Sequence, residues 1–251
     1  MDNRYKVWLE IDRKAIEYNI KVFRQIIGKK TELWSVVKSN AYGHGLSLFS
    51  KLVENPLSAS GGDGVDGFCV DSVVEGLKLR KEGIKKPILV LGPTLSSSYP
   101  IAEKHNITIS ISSFDGLKNL IKTKNKPNFH LKIDTGMHRQ GFYPEEISKI
   151  TQYLKPNIQN LKGIYSHFAS AKDINYPSFN DLQLNNLQIV FKDLENAGFK
   201  NLKKHISATA GTLINPKYHL DMVRVGIGLY GLWPSKELEI QLKDKIKLKQ
   251  V

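Results

Sequence analysis

The sequence predicts an α/β protein of the (β/α)8 barrel class. Eight short apolar runs follow one another along the chain, and helix-like segments alternate with them. The runs are too apolar for a sheet with one wet face, which indicates parallel strands covered by helices. The length of 251 residues suits a single barrel, which typically has about 250 residues. A closed barrel is therefore favoured over an open sheet.

The predicted elements can be justified in order along the chain. VWLEID, residues 7–12, reads as an opening strand before the eight repeats. The helix after it is capped by Asp12 and ends at Gly28, because its apolar residues recur at helical spacing. The eight strands are ELWSVVK, GFCV, PILVLG, ITISIS, FHLKID, LKGIYSHF, KHISAT and MVRVGIGLYG. The clearest intervening helices are SVVEGLKLRKEGI, FDGLKNLIK, PEEISKITQYL and NDLQLNNLQIVFKDLENAG.

Two regions do not fit a plain barrel. Residues 55–67 are rich in glycine, serine and aspartate, so we expect a mobile surface loop. Residues 236–251 alternate apolar and polar side chains in the manner of a half-exposed strand. We therefore assign residues 1–235 to the barrel and expect residues 236–251 to start a second, β-rich domain that the chain does not complete. The opening strand, residues 7–12, is a candidate to pair with that domain.

Composition narrows the class of protein. The formal net charge of +13 is compatible with nucleic acid, a membrane surface or anionic small molecules as partners. The densest basic run, KTKNKPN at residues 122–128, lacks interleaved aromatic residues and is better explained as a solvated loop, so neither nucleic acid nor membrane is expected. Cys69 allows no internal disulfide and lies in an apolar strand, as a buried structural thiol would. With no signal peptide at the amino terminus, we expect a cytoplasmic protein.

Reactive residues of such barrels lie at the carboxyl ends of the strands. In this chain those ends carry mainly basic and hydroxylic side chains: Lys38, Tyr42, Lys132, Asp134, Arg139, His167, His205, Thr209 and Arg224. No paired carboxylates suggest glycoside chemistry, and no carboxylates join the histidines at metal-ligand spacing, so no metal site is expected. The set suits an anionic cofactor.

A lysine beside a phosphate site is what pyridoxal phosphate requires, because its aldehyde forms a Schiff base with an amine. Lys38 ends an apolar strand in the glycine-rich stretch VVKSNAYGHG, and RVGIGLYG, residues 224–231, places two glycines where backbone amides could approach a phosphate. Taken alone, both signals have ordinary structural explanations: a lysine where a strand meets water, and glycines that permit close packing.

Five motifs in succession resemble those of the alanine racemases, which are fold type III pyridoxal phosphate enzymes. They are VVKSNAYGHG, LKIDTGMHRQGF, IYSHFAS, HISATAG and MVRVGIGLYG. The resemblance implies interconversion of L- and D-alanine, which supplies D-alanine for bacterial peptidoglycan. It also implies an amino-acid substrate and a homodimer in which a carboxyl-terminal β domain gives the partner's site a tyrosine, the second acid/base group. Without that domain we expect this chain to bind the cofactor but to racemise poorly.

The same resemblance implies a role for each matching residue. Lys38 would hold the cofactor and act as one acid/base group, while Arg139 would contact the cofactor's phenolic oxygen and the substrate carboxylate. Arg224 would face the pyridine nitrogen and keep it unprotonated, because a proton beside a guanidinium costs Coulomb energy. The phosphate would be held by Tyr42, Thr209, Gly226 and Ile227. His167 and His205 would flank Arg224, and Lys132 would position Arg139, either as a carbamate or as a plain strand lysine paired with Asp134.

Departures from the family pattern and competing functions remain. His138 stands where glycine is usual and could crowd the loop that carries Arg139. A stand-alone pyridoxal phosphate barrel without catalysis is one alternative function, and a racemase for another small amino acid such as serine is a second. A decarboxylase of basic amino acids is a third alternative, but it would place an acidic residue where Arg224 stands. A nucleic-acid-binding protein is a fourth, but this sequence contains no recognisable nucleic-acid-binding motif.

Overall fold

The structure, a computed structural model, describes residues 6–55 and 64–251, with side chains throughout except at residues 156–158. Eight strands alternate with helices, as the sequence predicts. The strands are β1 Glu32–Val36, β2 Gly67–Val70, β3 Ile88–Pro93, β4 Ile107–Ile111, β5 Phe129–Lys132, β6 Leu161–Tyr165, β7 Lys203–His205 and β8 Met222–Val225.

The helices cover the outside of the strands. They are α1 Arg13–Ile27, α2 Lys38–Tyr42, α3 Leu46–Glu54, α4 Val73–Lys81, α5 Tyr99–Lys104, α6 Phe114–Lys122, α7 Ile147–Leu154, α8 Pro177–Asn196, α9 Thr209–Ile214 and α10 Lys236–Leu242. Short 3₁₀ helices add Ser96–Ser98, Pro144–Glu146, Lys155–Asn160, Pro216–Tyr218 and Ile227–Tyr230. No helix in the described ranges has both the length and the apolar character that a membrane span needs.

All neighbouring strands are parallel, in the order β7-β6-β5-β4-β3-β2-β1-β8. Two backbone hydrogen bonds join the ends of that sheet: Asp221 N–H donates to the Lys204 carbonyl, and Arg224 N–H donates to the Ser207 carbonyl, both at 3.0 Å. The eight strands therefore form a nearly closed barrel, and the predicted fold class is confirmed.

The strands bury two kinds of side chain. Trp34, Val36, Cys69, Leu89 and Met222 form one apolar cluster. Ser110, His130, Lys132, His205 and Arg224 are buried polar residues. Two glycines make room for rings, because a Cβ at Gly67 would lie 2.6 Å from the Trp34 ring and one at Gly163 would lie 2.7 Å from the His130 ring.

The first helix forms for the reasons read from the sequence. The Asp12 carboxylate accepts hydrogen bonds from the N–H groups of Lys14 and Ala15, and Gly28 ends the helix with a φ of 71°. Cys69 is fully buried in β2, as predicted for a structural thiol, and burial raises its pKa to about 12. Most of the predicted loop at residues 55–67 lies outside the described residues.

The strand predicted within residues 236–251 is wrong, whereas the pairing of residues 7–12 with a second domain stays a prediction. Helix α10 occupies Lys236–Leu242 where a strand was expected, because the Ser235 hydroxyl caps its N-terminus by accepting from the Leu238 N–H. Leu238 is buried whereas Ile240 is 60% exposed, so the apparent alternation is one face of a helix. Residues 7–12 pair with no described strand, and Val7, Trp8 and Leu9 are exposed. A second domain remains a prediction.

Candidate active site

A cavity of about 660 Å³ opens at the carboxyl ends of the strands. Nine of the ten predicted site residues line it: Lys38, Tyr42, Lys132, Arg139, His167, Thr209, Arg224, Gly226 and Ile227. His205 is the tenth, and it lies fully buried beneath the cavity in contact with Arg224. Within the described ranges, no three His, Cys, Asp or Glu side chains group as a metal site would need.

Lys38 starts a turn of left-handed backbone. Ser39, Asn40 and Ala41 have φ values of 54–55°, and Tyr42 has a φ of 52°. Left-handed helical backbone costs roughly 1–2 kcal/mol per residue other than glycine. Hydrogen bonds hold the turn: the Asn40 side-chain oxygen accepts from the Leu46 N–H at 2.9 Å, and the Ser39 N–H donates to Glu75 at 2.7 Å. The turn therefore fixes where the Lys38 side chain enters the cavity.

The Lys38 amine has a carboxylate beside it that the sequence did not reveal. Nζ of Lys38 lies 3.2 Å from Oδ1 of Asp71, which follows strand β2. The Glu75 carboxylate accepts from the Asp71 N–H as well as from Ser39, so it joins the two loops. The only available signal was the position of Asp71 directly after a predicted strand.

Arg224 is buried, and its hydrogen-bond acceptors among the described residues are all neutral. Its guanidinium donates to the carbonyls of Ser166 and Ile206 at 3.0 Å, and to Nδ1 of His205 and of His167 at 2.5 and 3.2 Å. Because a guanidinium only donates, both histidines must accept through Nδ1 and carry their proton on Nε2. His205 Nε2 then donates to Nδ1 of His130 at 2.8 Å. Both histidines thus contact Arg224, and the roles that the resemblance implies for them stay predictions.

The floor of the cavity is cationic because of Arg224 and not because of the histidines. Burial lowers the pKa of His130 to about 3, with the charges of Lys203 and Arg224 as lesser causes. Burial and then the Arg224 charge hold the pKa values of His167 and His205 well below the ordinary histidine value. All three rings are therefore neutral near pH 7. Tyr165 packs flat against His205, with ring centroids 4.6 Å apart.

Lys132 is a buried amine without a salt bridge to a described carboxylate. Its Nζ lies over the Tyr165 ring, 4.8 Å from the centroid. Burial and the Arg224 charge hold its pKa well below the usual lysine range. Asp134 does not form the alternative ion pair, because its oxygens accept instead from the backbone N–H groups of the loop, residues 136–139.

Arg139 reaches the cavity from that same loop. Asp134 fixes the loop through the four N–H groups, and these bonds lower the carboxyl pKa against the opposing effect of burial. His138 takes a left-handed φ of 54°, which explains why glycine suits this position. Its side chain is exposed and lies near the Tyr143 ring, with centroids 6.2 Å apart. The expectation that His138 crowds the loop is thus not supported by a buried contact.

Tyr42, Thr209, Gly226 and Ile227 surround one end of the cavity. A Cβ at Gly226 would lie 2.9 Å from the Tyr42 hydroxyl, and the Gly228 N–H donates to the Thr209 hydroxyl at 3.3 Å. The 3₁₀ helix Ile227–Tyr230 and helix α9 both begin here, and the first N–H groups of a helix have no acceptor inside it. Hydroxyls and backbone N–H groups converge as an anion would require.

Known proteins match this chain in sequence and in fold. A family profile described as "Alanine racemase, N-terminal domain" matches residues 11–234. The alanine racemase of Methanococcus maripaludis is 37% identical over 97% of this chain and 64% of its own length, and that of Listeria monocytogenes is 36% identical over 96% and 63%. The chain thus spans slightly less than two thirds of these curated relatives.

Solved structures give the same result. Alanine racemase of Clostridium difficile 630 superposes with a TM-score of 0.88 at 31% identity, covering 99% of this chain and 68% of that one. The Bacillus anthracis alanine racemase with bound L-Ala-P has a TM-score of 0.86 at 30% identity, covering 97% and 62%. Since the family profile matches residues 11–234 and the fold agrees, the chain belongs to the alanine racemase family.

Proposed function

We propose that this chain binds pyridoxal phosphate through Lys38 and acts in the racemisation of alanine. The observation that carries the proposal is a single cavity lined by the Lys38 amine, the Arg224 guanidinium and the anion site of Tyr42, Thr209, Gly226 and Ile227. An amine, a phosphate site and a group for the ring nitrogen are the three things that this cofactor needs from a protein.

The residues fit the cofactor in charge as well as in position. Arg224 is buried and donates to neutral acceptors, so no carboxylate within the described residues pairs with its positive charge beneath the cavity. A pyridine nitrogen beside it would stay unprotonated, because a second positive charge there costs Coulomb energy. The glycine at position 226 leaves the space near the Tyr42 hydroxyl that a phosphate oxygen would take.

When bound, the cofactor supplies an aldehyde that condenses with amines and a ring that delocalises negative charge. Lys38, with its amine free, would take a proton from the substrate α-carbon or return one to it. Arg139 binds the substrate carboxylate with its fork of N–H donors. Lys132 is proposed to be a carbamate, since carbamylation needs a neutral amine and its pKa is held low by burial.

The remaining roles extend beyond the chain described. We propose that the protein works as a homodimer in the cytoplasm, that a partner subunit supplies the second acid/base group, and that the D-alanine serves peptidoglycan. These proposals rest on the matches to alanine racemases. A serine-selective racemase is the alternative that a substrate comparison would separate.

Deuterium exchange tests the proposed function without requiring both acid/base groups. The cofactor-loaded chain is incubated in D₂O with alanine, or in parallel with serine, and the α-deuterium content is followed by NMR. We expect incorporation into alanine that Lys38→Ala abolishes and Lys118→Ala, an exposed lysine on α6, leaves unchanged. Incorporation that persists in Lys38→Ala, or none into either amino acid in the parent chain, would refute the proposal.

A further inference from the structure

The charges that line the cavity are unbalanced. Among the described residues the cavity is lined by four side chains counted as cations, namely Lys38, Arg139, Lys172 and Arg224, and by one carboxylate side chain, that of Asp71; Lys132 also lines it but is not counted, because its pKa is held low. The positively charged side chains attract a substrate that carries a carboxylate. The single acidic group therefore stands where a positively charged part of a ligand would be favoured.

Asp71 lies beside the reactive amine. Its Oδ1 is 3.2 Å from Nζ of Lys38, and its side chain is about half exposed, at 53%. Any amine that takes the place of Lys38 on the cofactor must bring its nitrogen close to the position of Nζ. That nitrogen would then lie within hydrogen-bond reach of Asp71.

Backbone contacts hold Asp71 in this place. Its N–H donates to Oε2 of Glu75 at 2.7 Å, and its carbonyl accepts from the Gly92 N–H at 3.2 Å. A Cβ at residue 92 would lie 2.4 Å from that carbonyl oxygen, so glycine permits the approach. Because the other Glu75 oxygen accepts from the Ser39 N–H, the same carboxylate fixes Asp71 relative to the turn that carries Lys38.

We propose that Asp71 is a catalytic residue that binds the α-ammonium group of the incoming amino acid and accepts a proton from it. This inference rests on the proposed function, in which Lys38 and the substrate amine exchange places on the cofactor. An amino acid arrives at neutral pH as an ammonium ion, whose nitrogen has no lone pair to form a bond. A proton acceptor at this position removes that obstacle.

In the proposed exchange, Asp71 carries one proton from the substrate ammonium to the Lys38 nitrogen. An N–H bond of the substrate ammonium breaks as an O–H bond forms on the Asp71 carboxylate. The freed lone pair would form the first bond from the substrate nitrogen to the aldehyde carbon. A second N–H proton would pass from the substrate nitrogen to the Lys38 nitrogen, so that the second bond to the substrate nitrogen could form as both carbon–nitrogen bonds of Lys38 break. The Lys38 nitrogen would receive its other proton from Asp71, and the substrate nitrogen would keep its third. Asp71 is again a carboxylate and Lys38 is a neutral amine, ready to accept a proton from the α-carbon.

Stopped-flow absorbance of the cofactor-loaded chain tests the inference. The change on mixing with alanine is followed across pH for the parent chain, Asp71→Asn and Asp115→Asn, a control carboxylate that is exposed on α6 and outside the cavity. We expect Asp71→Asn to slow the exchange by roughly 10²-fold at neutral pH. The deficit should shrink as pH rises above the pKa of the free amine, since neutral alanine then needs no proton acceptor. Asp115→Asn should match the parent chain.

The outcomes separate this inference from the proposed function. Borohydride reduction first establishes that Asp71→Asn still holds the cofactor on Lys38. If its exchange rate then equals that of the parent chain, or is lowered equally at every pH, the role of Asp71 as proton acceptor is overturned. Loss of the label in Asp71→Asn alone would also overturn it, because Asp71 would then serve Lys38 rather than the incoming amine. If borohydride labels Lys38 in one sample of the parent chain, and an unreduced sample shows no spectral change with alanine, the proposed function is refuted instead.

Discussion

At the scale of single residues, burial decides which groups carry charge. Burial lowers the pKa of Arg224, but a guanidinium starts so far above neutrality that it keeps its proton, whereas His167 and His205 are held neutral beside it. The histidine tautomers follow from the arginine, since a guanidinium cannot accept a hydrogen bond. One buried cation therefore orders the protons of a chain of rings that extends to His130.

This arrangement predicts a loss of stability in acid. Above about pH 6.5 the rings are neutral in the folded and unfolded chain alike. Below that pH the unfolded chain binds protons that the buried rings do not, so the free energy of unfolding falls by about 1.4 kcal/mol per pH unit for each histidine. For His130 the loss continues down to its folded-state pKa of about 3.

Urea unfolding at a series of pH values measures this slope. His130→Gln should reduce the pH slope of the free energy of unfolding by about 1.4 kcal/mol per pH unit, the amount that one proton contributes, because the variant lacks one histidine whose pKa is lowered by folding. A free energy of unfolding that is the same in the variant and the parent chain at every pH between 6 and 4 would contradict the account of the buried rings.

At the scale of elements, local hydrogen bonds decide two features that periodicity could not. The left-handed turn α2 depends on Asn40 and Glu75, and helix α10 depends on the Ser235 cap. In both places the side chain that matters is polar and lies outside the apolar pattern. The spacing of apolar residues was therefore enough to predict α1. It was not enough for α10, where it predicted a strand because the Ser235 cap is not part of the apolar pattern.

The turn predicts different costs for two substitutions of Asn40. Asn40→Gly loses the side-chain bond to the Leu46 N–H but accepts the left-handed backbone. Asn40→Ala loses the bond and keeps a Cβ, whose left-handed strain of about 1 kcal/mol the glycine variant avoids. We expect Asn40→Ala to be the less stable of the two by about that amount in chemical unfolding. Equal stabilities would show that the turn is not left-handed in solution.

Helix α10 predicts unequal effects of neighbouring apolar residues. Leu238 is buried and Ile240 is 60% exposed, although both would face one side of a strand. Leu238→Ala should lower the free energy of unfolding by roughly 2–3 kcal/mol, and Ile240→Ala by less than about 0.5 kcal/mol. Similar losses in thermal or urea unfolding would favour the strand.

At the scale of the whole molecule, the sequence predicted the barrel because every repeat carries the same signal. Eight apolar runs with intervening helices leave few other arrangements, and the strand ends then bring nine predicted site residues to one cavity. Asp71, Glu75 and His130 were missed for a common reason. Their contacts join different loops or strands, so strand register and loop geometry reveal them and chain position does not.

The barrel also explains how the two halves of the chain meet. Trp34 of β1 lies in register with Arg224 of β8, so the first and last strands carry Lys38 and the arginine to neighbouring positions at the mouth. The amine and the guanidinium are 186 positions apart in sequence, counting from 38 to 224, yet line one cavity. The central claim is that a cofactor aldehyde bridges this space to Lys38.

The most direct test is to trap that linkage. Pyridoxal phosphate is added to the chain, borohydride reduces the Schiff base to a stable amine, and mass spectrometry of the digest locates the modified lysine. The account predicts the label on Lys38, and its loss in Lys38→Ala with no new site among the other lysines. A label on a different lysine, or no label in the parent chain, would contradict it.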